Sequence, residues 1–337
     1  LQPASLDLRL GYKAYRVRAS FLPGLHNKVT QKLKTLQMHE IDLQQGAVFE
    51  CGCVYIVPLL EHVLLPEHIH ALANPKSSTG RLDIFTRLIT DCGEEFDKVA
   101  QGYRGALYLE VCPRTFPIIV RTGSCLSQLR FFIGEAKLAK EEMQQLQQET
   151  PLVSIGSSAG ARTNITAEGV ALSIDLEKSV GQIIGYRAKK FSPPIDVDKV
   201  NFLSWEDFWH PIVATNNATL LLEPEEFYIL ASQEYVCVPP RYASQMCPFD
   251  PLVGEFRVHY AGFFDPGFGW DHEKRCPARA VLEVRSREVP FILEHGQMIG
   301  RLLYQRLKGK PASLYGREKT SHYQSQGLRL SKHFKQV

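Results

Sequence analysis

A glutamate near the end of a strand-like segment has neighbours that suggest chemistry. Glu283 follows a short apolar run, and the small residues Ala261 and Gly262 stand earlier in the same stretch. Small side chains leave backbone accessible to a flat ligand, so this stretch could place a carboxylate beside one. A glutamate that alternates with Val281 and Arg285 is also typical of a solvated strand face, and the residue types leave both interpretations open.

A second segment has the residue types that bind phosphate. Residues 76–81 (KSSTGR) combine the cations Lys76 and Arg81 with the hydroxyls of Ser77 and Ser78 and with a glycine that frees backbone amides. Cations neutralise clustered negative charge, and hydroxyls and amides donate hydrogen bonds to it. The segment is not a P-loop, because the pattern GxxxxGK(S/T) is absent. A solvated surface loop has the same composition.

β-Strands must position these residues. The runs FRVHYAGFF and ARAVLEV alternate and are rich in β-branched and aromatic residues, so they predict two strands of a hairpin. Residues 265–267 (DPG) between them predict a turn, because proline fixes φ, glycine accepts positive φ and aspartate bonds nearby backbone. Residues 133–150 have the composition of a helix that links two domains.

The chain contains a domain-sized repeat. Four matched pairs share one separation of 173 residues: Pro66 and Pro239, Glu110 and Glu283, Gly123 and Gly296, Leu129 and Leu302. A constant register over so long a stretch predicts two tandem copies of one β-rich unit. The KSSTGR segment has no counterpart at 249–254, and the DPG turn has none at 88–96, so each copy retains part of a site. Glu110 lacks the matching turn, and we interpret it as structural.

Composition excludes several classes of protein. A hydrophobic content of 44%, a charged content of 22% and a net charge of +3 are typical of a globular protein without a nucleic-acid surface. Neither an apolar run of about 18 residues nor a basic-then-apolar leader is present. The eight cysteines do not have disulfide-scaffold spacings. We therefore expect a cytoplasmic protein that binds neither membrane nor nucleic acid.

Several segments of the second half resemble a known family. The segments HYAGFFDPGFG, AVLEVRS, VPFILEHGQMIGRLLYQRL and PASLYGREKTSHYQSQGLRLSKHF are similar, in this order, to the C-terminal half of dCTP deaminases, relatives of the trimeric dUTPases. Together with the repeat, this resemblance implies a tandem-duplicated member of that family. The implied fold is mainly β, with two dUTPase-like distorted, jelly-roll-like β-barrels at 1–150 and 151–337 and few short helices.

The resemblance implies roles for residues of both copies. In the family, an Arg-Ser-Ser loop that ends in a further arginine holds the phosphates, and in this chain a lysine stands at the first position. The polar tail would be a frayed terminus by composition, but its similarity to the family's ending implies a flexible arm that folds over bound nucleotide, with Lys319 or His322 as a nearby cation. The implied substrate-binding residues are Lys76, Ser77, Ser78, Arg81, Ala261, Gly262, Asp265, Tyr323 and Gln326.

The resemblance also raises the question of how cytosine would be deaminated. Zinc deaminases require a His or Cys ligand followed by Glu and a Pro-Cys-x-x-Cys motif, and this set is absent from the sequence. A protein base must then activate the water, and a glutamate can take its proton and pass it to the ring N3. The hypothesis assigns this role to Glu283, with backbone near Ala261 and Gly262 orienting the base.

Two other functions stay open at this level. A dUTP pyrophosphatase, or an enzyme that performs both steps, would need an acidic residue aimed at a water near the α-phosphate, and Asp91 and Asp265 are the candidates. A non-catalytic nucleotide-binding protein, in which duplication served assembly, belongs to a different class. For the deaminase we expect Mg²⁺ held through the nucleotide triphosphate, no zinc or other protein-bound metal, dCTP and dUTP as ligands, dTTP as an inhibitor and a homo-oligomer, with a trimer as first expectation.

Overall fold

The chain folds almost entirely into β-sheets. A computed structural model describes residues 1–155, 165–247, 256–258, 262–271, 274–275, 278–286, 288–317 and 321–335. Strands account for 47% of the structure and helices for 8%. The prediction of a mainly β fold with few short helices is confirmed.

The first copy is built on two sheets and a short ribbon. A five-stranded sheet has the order β3-β2-β5-β9-β7, a four-stranded sheet has the order β1-β11-β6-β8, and β4 pairs with β10. The strands are β1 (Leu6–Arg9), β2 (Lys13–Val17), β3 (Gln37–Asp42), β4 (Ala47–Phe49), β5 (Val54–Leu64), β6 (Ile69–Pro75), β7 (Ile84–Thr90), β8 (Lys98–Val99), β9 (Arg104–Pro113), β10 (Ile118–Val120) and β11 (Cys125–Ile133).

The second copy repeats this plan. Its sheets have the orders β17-β15-β19-β25-β21, with β12 also on β19, and β13-β14-β27-β20-β22; β18 pairs with β26 and β23 with β24. The strands are β12 (Val153–Ser154), β13 (Ile165–Thr166), β14 (Gly169–Ser173), β15 (Ile183–Ala188), β16 (Ile195–Asp196), β17 (Trp209–Val213), β18 (Thr219–Leu222), β19 (Phe227–Val236), β20 (Tyr242–Cys247), β21 (Phe256–Val258), β22 (Phe263–Phe264), β23 (Trp270–Asp271), β24 (Lys274–Arg275), β25 (Ala278–Ser286), β26 (Phe291–Glu294) and β27 (Met298–Arg306).

The strand registers confirm the duplication. Glu110 on β9 lies opposite Ile56 on β5, and its repeat partner Glu283 on β25 lies opposite Ile229 on β19. The breaks in strand register also repeat. The β5–β9 register shifts after Pro58, and the β19–β25 register shifts after Ala231, the equivalent residue. A bulge re-aims the side chains beyond it, and both copies therefore present their glutamates in the same way.

The predicted hairpin before Glu283 is only partly correct. Phe256–Val258 pairs antiparallel with residues 284–286 of β25, as expected. Phe263–Phe264, however, pairs with β20 in the other sheet of the second copy. The two ends of the run therefore belong to different sheets.

Three α-helices and one 3-10 helix complete the described secondary structure. They are α1 (Val29–Leu36), α2 (Ser77–Gly80), α3 (Lys140–Glu149) and the 3-10 helix Trp205–Asp207. The predicted linker helix corresponds to α3. The sequence placed it in the first domain, whereas its Met143 and Leu146 pack in the core of the second copy. None of these helices has the length and hydropathy that a membrane-spanning helix needs.

The two copies share a continuous apolar core. Phe116 of the first copy packs edge to face against Phe208 and Trp209 of the second, with ring centroids 5.8 and 5.4 Å apart. Phe334, from the end of the chain, packs against the same two rings at 5.3 and 6.1 Å. The tail therefore helps to hold the two copies together.

Replacing Phe334 with alanine is expected to lower the free energy of unfolding by about 3 to 5 kcal/mol, because the ring is buried and leaves a cavity. Phe191→Ala is the matched control, since the Phe191 side chain is fully exposed and should cost less than about 0.5 kcal/mol. Urea unfolding measures both. Equal effects from the two variants would contradict the packing described for the tail.

Candidate active site

A cavity of about 340 Å³ lies where the two copies and the tail meet. The first copy contributes α2 and its flanks, and the second contributes β25 and the turn after β22. Of the residues predicted to bind or act on substrate, Ala261 lies outside the described part of the chain. The others all line the cavity: Lys76, Ser77, Ser78, Arg81, Gly262, Asp265, Glu283, Tyr323 and Gln326.

Glu283 is a buried carboxyl that faces the cavity. Its position on β25 makes the side chain 6% exposed, which rules out the alternative of a solvated strand face. Burial raises the pKa of Glu283 to about 7, although the nearby Arg81 charge acts in the opposite direction. A carboxyl with this pKa exchanges protons near neutral pH, as a general base requires.

Arg81 lies next to Glu283 and comes from the other copy. Its Nε is 4.0 Å from Glu283 Oε1. One terminal nitrogen donates to the Arg329 carbonyl and the other to Gln326 Oε1, each at 3.0 Å, while the guanidinium lies 3.9 Å from the centre of the Tyr323 ring. Burial lowers the pKa of Arg81, and the charges of Tyr323 and Glu283 oppose that shift. Its Nε has no hydrogen bond among the described residues.

Basic groups gather along another wall of the cavity. Lys76 Nζ is 2.6 Å from Asp7 Oδ2, so its charge is paired in this structure. Lys332 and His322 line the same cavity. Burial lowers the pKa of His322, and repulsion from Lys332, Arg329 and Lys76 lowers it further. Mutual repulsion of cations is relieved by a polyanion, so this wall suits a phosphate chain.

The predicted turn carries Asp265 into the cavity wall. Asp265 is 7% exposed, and its Oδ1 lies 3.2 Å from Arg130 Nη2 of the first copy. Burial raises the pKa of Asp265, and the Arg130 charge opposes the shift. Gly267 has φ of +98°, and a Cβ there would lie 2.8 Å from the Tyr315 amide nitrogen. The turn therefore requires glycine, as the sequence predicted.

Residues 321–335 are packed over the cavity, the location that the family resemblance implied for the arm. The Gln326 side chain donates to the Arg279 carbonyl at 2.9 Å, and the Arg279 amide donates to the Gln326 carbonyl at 2.8 Å. Ser331 Oγ donates to the Ser78 carbonyl at 2.9 Å. Composition alone missed this because the polar residues bond to backbone that lies far away in the sequence. Lys319 lies outside the described residues.

Sequence reasoning missed several cavity residues. Asp7, Arg130, Phe268 and Tyr315 contribute to the cavity or to the support of its wall. Each lies in a segment that reads as an ordinary strand, turn or loop, and we find no local signal that distinguishes it. The Tyr315 hydroxyl accepts the Tyr323 amide at 3.0 Å, which fixes the tail residue that stacks on Arg81.

The repeat partner of Glu283 has a different environment. Glu110 is 1% exposed, and its Oε1 is 2.6 Å from Arg87 of the same copy. Glu110 does not line the cavity, and its pairing agrees with the structural role inferred from the sequence. Asp91, a candidate for pyrophosphatase chemistry, accepts the Val29 amide at the start of α1 at 2.8 Å, also outside the cavity.

No group of three or more His, Cys, Asp or Glu side chains in the described residues is arranged to hold a metal ion. The cavity wall offers cations, hydroxyls and one paired carboxylate, Asp7, on the side where Lys76 lies. The cations and hydroxyls of this wall match the chemistry of phosphate oxygens.

Comparisons with known proteins agree with one another. Residues 1–135 match the family model of the 2'-deoxycytidine 5'-triphosphate deaminase (DCD) N-terminal domain, and residues 139–334 match that of its C-terminal domain. A crystal structure of 2'-deoxycytidine 5'-triphosphate deaminase from Agrobacterium tumefaciens is 58% identical, covers 91% of each chain and superposes with a TM-score of 0.85.

A more distant relative matches in part. The dCTP deaminase of Haloarcula marismortui is 28% identical over 134 residues, which are 39% of this chain and 65% of that protein. The family models together span nearly the whole chain, and the structural match extends over both copies. The chain therefore belongs to the 2'-deoxycytidine 5'-triphosphate deaminase family, as a tandem-duplicated member.

Proposed function

We propose that this chain hydrolyses dCTP to dUTP and ammonia, with Glu283 as the general base. One observation carries the proposal: a buried carboxyl with a pKa of about 7 lies 4.0 Å from a buried guanidinium in a cavity between the two copies. Membership of the deaminase family supports the substrate.

The chemistry follows from the two groups at the base of the cavity. The Glu283 carboxylate takes a proton from a water whose oxygen attacks C4 of cytosine. The same carboxyl passes that proton to N3, giving a tetrahedral intermediate with a hydroxyl group on C4. The Glu283 carboxylate then takes the proton of this hydroxyl and passes it to the amino group, so that the C4–N bond breaks, ammonia leaves and the C4 carbonyl forms. Arg81 favours the carboxylate form through its charge, and its Nε, 4.0 Å from Glu283 Oε1, has no hydrogen bond among the described residues.

Other residues of the cavity lining would hold the triphosphate. They are Lys76, Lys332 and the hydroxyl residues Ser77 and Ser78. Phosphate binding would take Lys76 from Asp7 or share it with that carboxylate. We propose that Mg²⁺ arrives on the triphosphate oxygens, since Mg²⁺ is often bound mainly through substrate phosphates. The metal would neutralise phosphate charge, and an Mg²⁺ titration of ammonia release tests this.

The rate should depend on pH through Glu283. Because its pKa is about 7 and the carboxylate is the active form, kcat/KM should rise with pH through about 7 and fall about tenfold per unit below it. The other titratable groups that line the cavity are Asp7, Lys76, Arg81, Cys125, Asp265, Tyr315, His322, Tyr323 and Lys332. Stopped assays from pH 5.5 to 9, with circular dichroism as the folding control, measure the profile. A flat profile would contradict the assignment.

Product analysis tests the function directly. We expect ammonia and dUTP from dCTP, and no pyrophosphate from either dCTP or dUTP. Pyrophosphate release would favour the alternative of a dUTP pyrophosphatase or of a bifunctional enzyme. The geometry gives that alternative little support, because Asp91 caps α1 and Asp265 is paired with Arg130. Tight nucleotide binding without turnover would favour the non-catalytic alternative.

We also propose dTTP inhibition, assembly into a homo-oligomer and a cytoplasmic location, all from the family resemblance. A trimer is the first expectation. Light scattering gives the mass in solution, and dTTP added to the deaminase assay gives the inhibition. Fractionation of cells that express the protein tests its location.

A further inference from the structure

A second ion pair crosses the junction between the copies, next to the pair formed by Arg81 and Glu283. Asp83 follows Arg81 by two residues, and Arg285 follows Glu283 by two residues. Asp83 and Arg285 form a buried ion pair, with exposed side-chain fractions of 1% and 6%. The signs are reversed relative to the first pair, so two opposed pairs lie side by side across the same junction.

Strand geometry explains why the two pairs are coupled. Successive side chains of β25 point to opposite faces, so Glu283 and Arg285 project from the same face. One terminal nitrogen of Arg285 donates to Asp83 and to Thr115 Oγ1, the latter at 2.9 Å. The other donates to the Glu225 carbonyl. The planar guanidinium therefore ties β25 to two segments of the first copy and to a neighbouring loop.

Backbone hydrogen bonds fix the position of Asp83. Its amide donates to the Gly80 carbonyl and its carbonyl accepts the Arg114 amide, both at 2.9 Å. Its φ of +55° lies in the left-handed region, which aspartate tolerates better than most residues. The connection from α2 to β7 thus has a fixed course, and that connection carries Arg81.

We propose that Asp83 and Arg285 are positioning residues that hold Arg81 at its distance from Glu283 across the junction between the copies. Neither side chain needs to touch substrate for this role. The pair formed by Asp83 and Arg285 fixes how the two backbones lie relative to each other. Without either of these two side chains, Arg81 is no longer held at its distance from Glu283. This inference rests on the proposed deaminase function.

The test compares Asp83→Asn, Arg285→Met and Arg285→Lys in the full-length chain. We expect Asp83→Asn and Arg285→Met to lower kcat about 10- to 100-fold with KM changed less than about threefold, because small displacements of catalytic groups have large effects on rate. Arg285→Lys, which keeps the charge, should recover part of the loss. These variants are expected to fold, and circular dichroism and nucleotide binding check that they do.

The pH profile separates positioning from simple charge effects. Loss of the Asp83 charge alone would lower the apparent pKa of the Glu283 carboxyl, because a nearby negative charge disfavours its ionised form. Displacement of Arg81 would instead raise that apparent pKa. We expect Asp83→Asn to raise it, and a decrease would overturn the inference.

A matched control uses another ion pair between the copies. Arg121 of the first copy bonds Asp196 of the second through two nitrogens at 2.7 Å, and neither residue lines the cavity that the structure describes. Arg121→Met should lower stability but leave kcat and the pH profile unchanged. An equal loss of kcat in Arg121→Met would show general loosening and overturn the inference. An unsubstituted chain that releases no ammonia would remove the proposed function as well, whereas an active chain with unaffected Asp83→Asn would remove only this inference.

Discussion

Replacing Glu283 with glutamine is expected to lower the rate of ammonia release from dCTP by about 10³-fold, within the range of a lost general base. Glutamine keeps the size of the side chain and its hydrogen-bonding capacity at the cavity wall, but it cannot accept a proton from water. Nucleotide binding should persist, because Lys76, Ser77, Ser78 and Lys332 also line the cavity and are unchanged in this variant. Single-turnover assays with calorimetric binding of dCTP separate the two effects.

Glu110→Gln is the natural control for this variant. Glu110 occupies the equivalent register on β9 and is also buried, but it pairs with Arg87 and lies outside the lining of the cavity. We expect this substitution to lower stability and to preserve kcat. Full activity of Glu283→Gln, or loss of turnover in both variants to the same extent, would refute the assignment of Glu283 as base.

Replacing Arg81 with lysine should lower kcat/KM about 10²- to 10³-fold, in the range that removal of a preorganised electrostatic group produces. The Arg81 guanidinium joins three partners: the Glu283 carboxyl, the Gln326 side chain and the Arg329 carbonyl. Lysine retains the charge but has no planar fork, and it stacks less well on Tyr323. We therefore expect both a lower rate and weaker contacts between the tail and the cavity wall.

Arg87→Lys provides the comparison for Arg81. Arg87 likewise pairs with a buried glutamate and lies against aromatic rings, Phe96 at 3.6 Å and Phe85 at 4.8 Å. Its glutamate belongs to the copy that lacks the turn formed by residues 265–267. We expect stability to decrease and kcat/KM to stay within about twofold, because neither Arg87 nor Glu110 lines the cavity. An Arg81→Lys variant with full activity would show that charge alone suffices at this position.

Local sequence patterns were sufficient for many of the elements. The run ARAVLEV predicts a strand from its alternation and its β-branched residues, and it forms most of β25. The turn at 265–267 follows from proline and glycine, whose backbone preferences act within a few residues. The duplication was also visible, because matched residues keep one offset and both copies need the same strand registers.

The resemblance to deaminases made it possible to predict residues of the site as well as elements of the fold. It identified Glu283 and the KSSTGR segment as parts of one site, and the structure places them around the same cavity. The course of the run that begins at Phe256 could not be predicted, because strands of similar alternation fit either of two sheets. Sheet assignment depends on which apolar face is buried by the rest of the fold.

The sequence by itself determined the mainly β fold, the two copies and the residue types available for catalysis. Only the tertiary structure decided that Glu283 is buried rather than solvated, that Arg81 lies beside it, and that Asp83 and Arg285 fasten the two copies next to them. These contacts join residues far apart in the chain, so no local preference encodes them. Burial then raises the pKa of Glu283, because the cost of desolvating a carboxylate depends on everything packed around it.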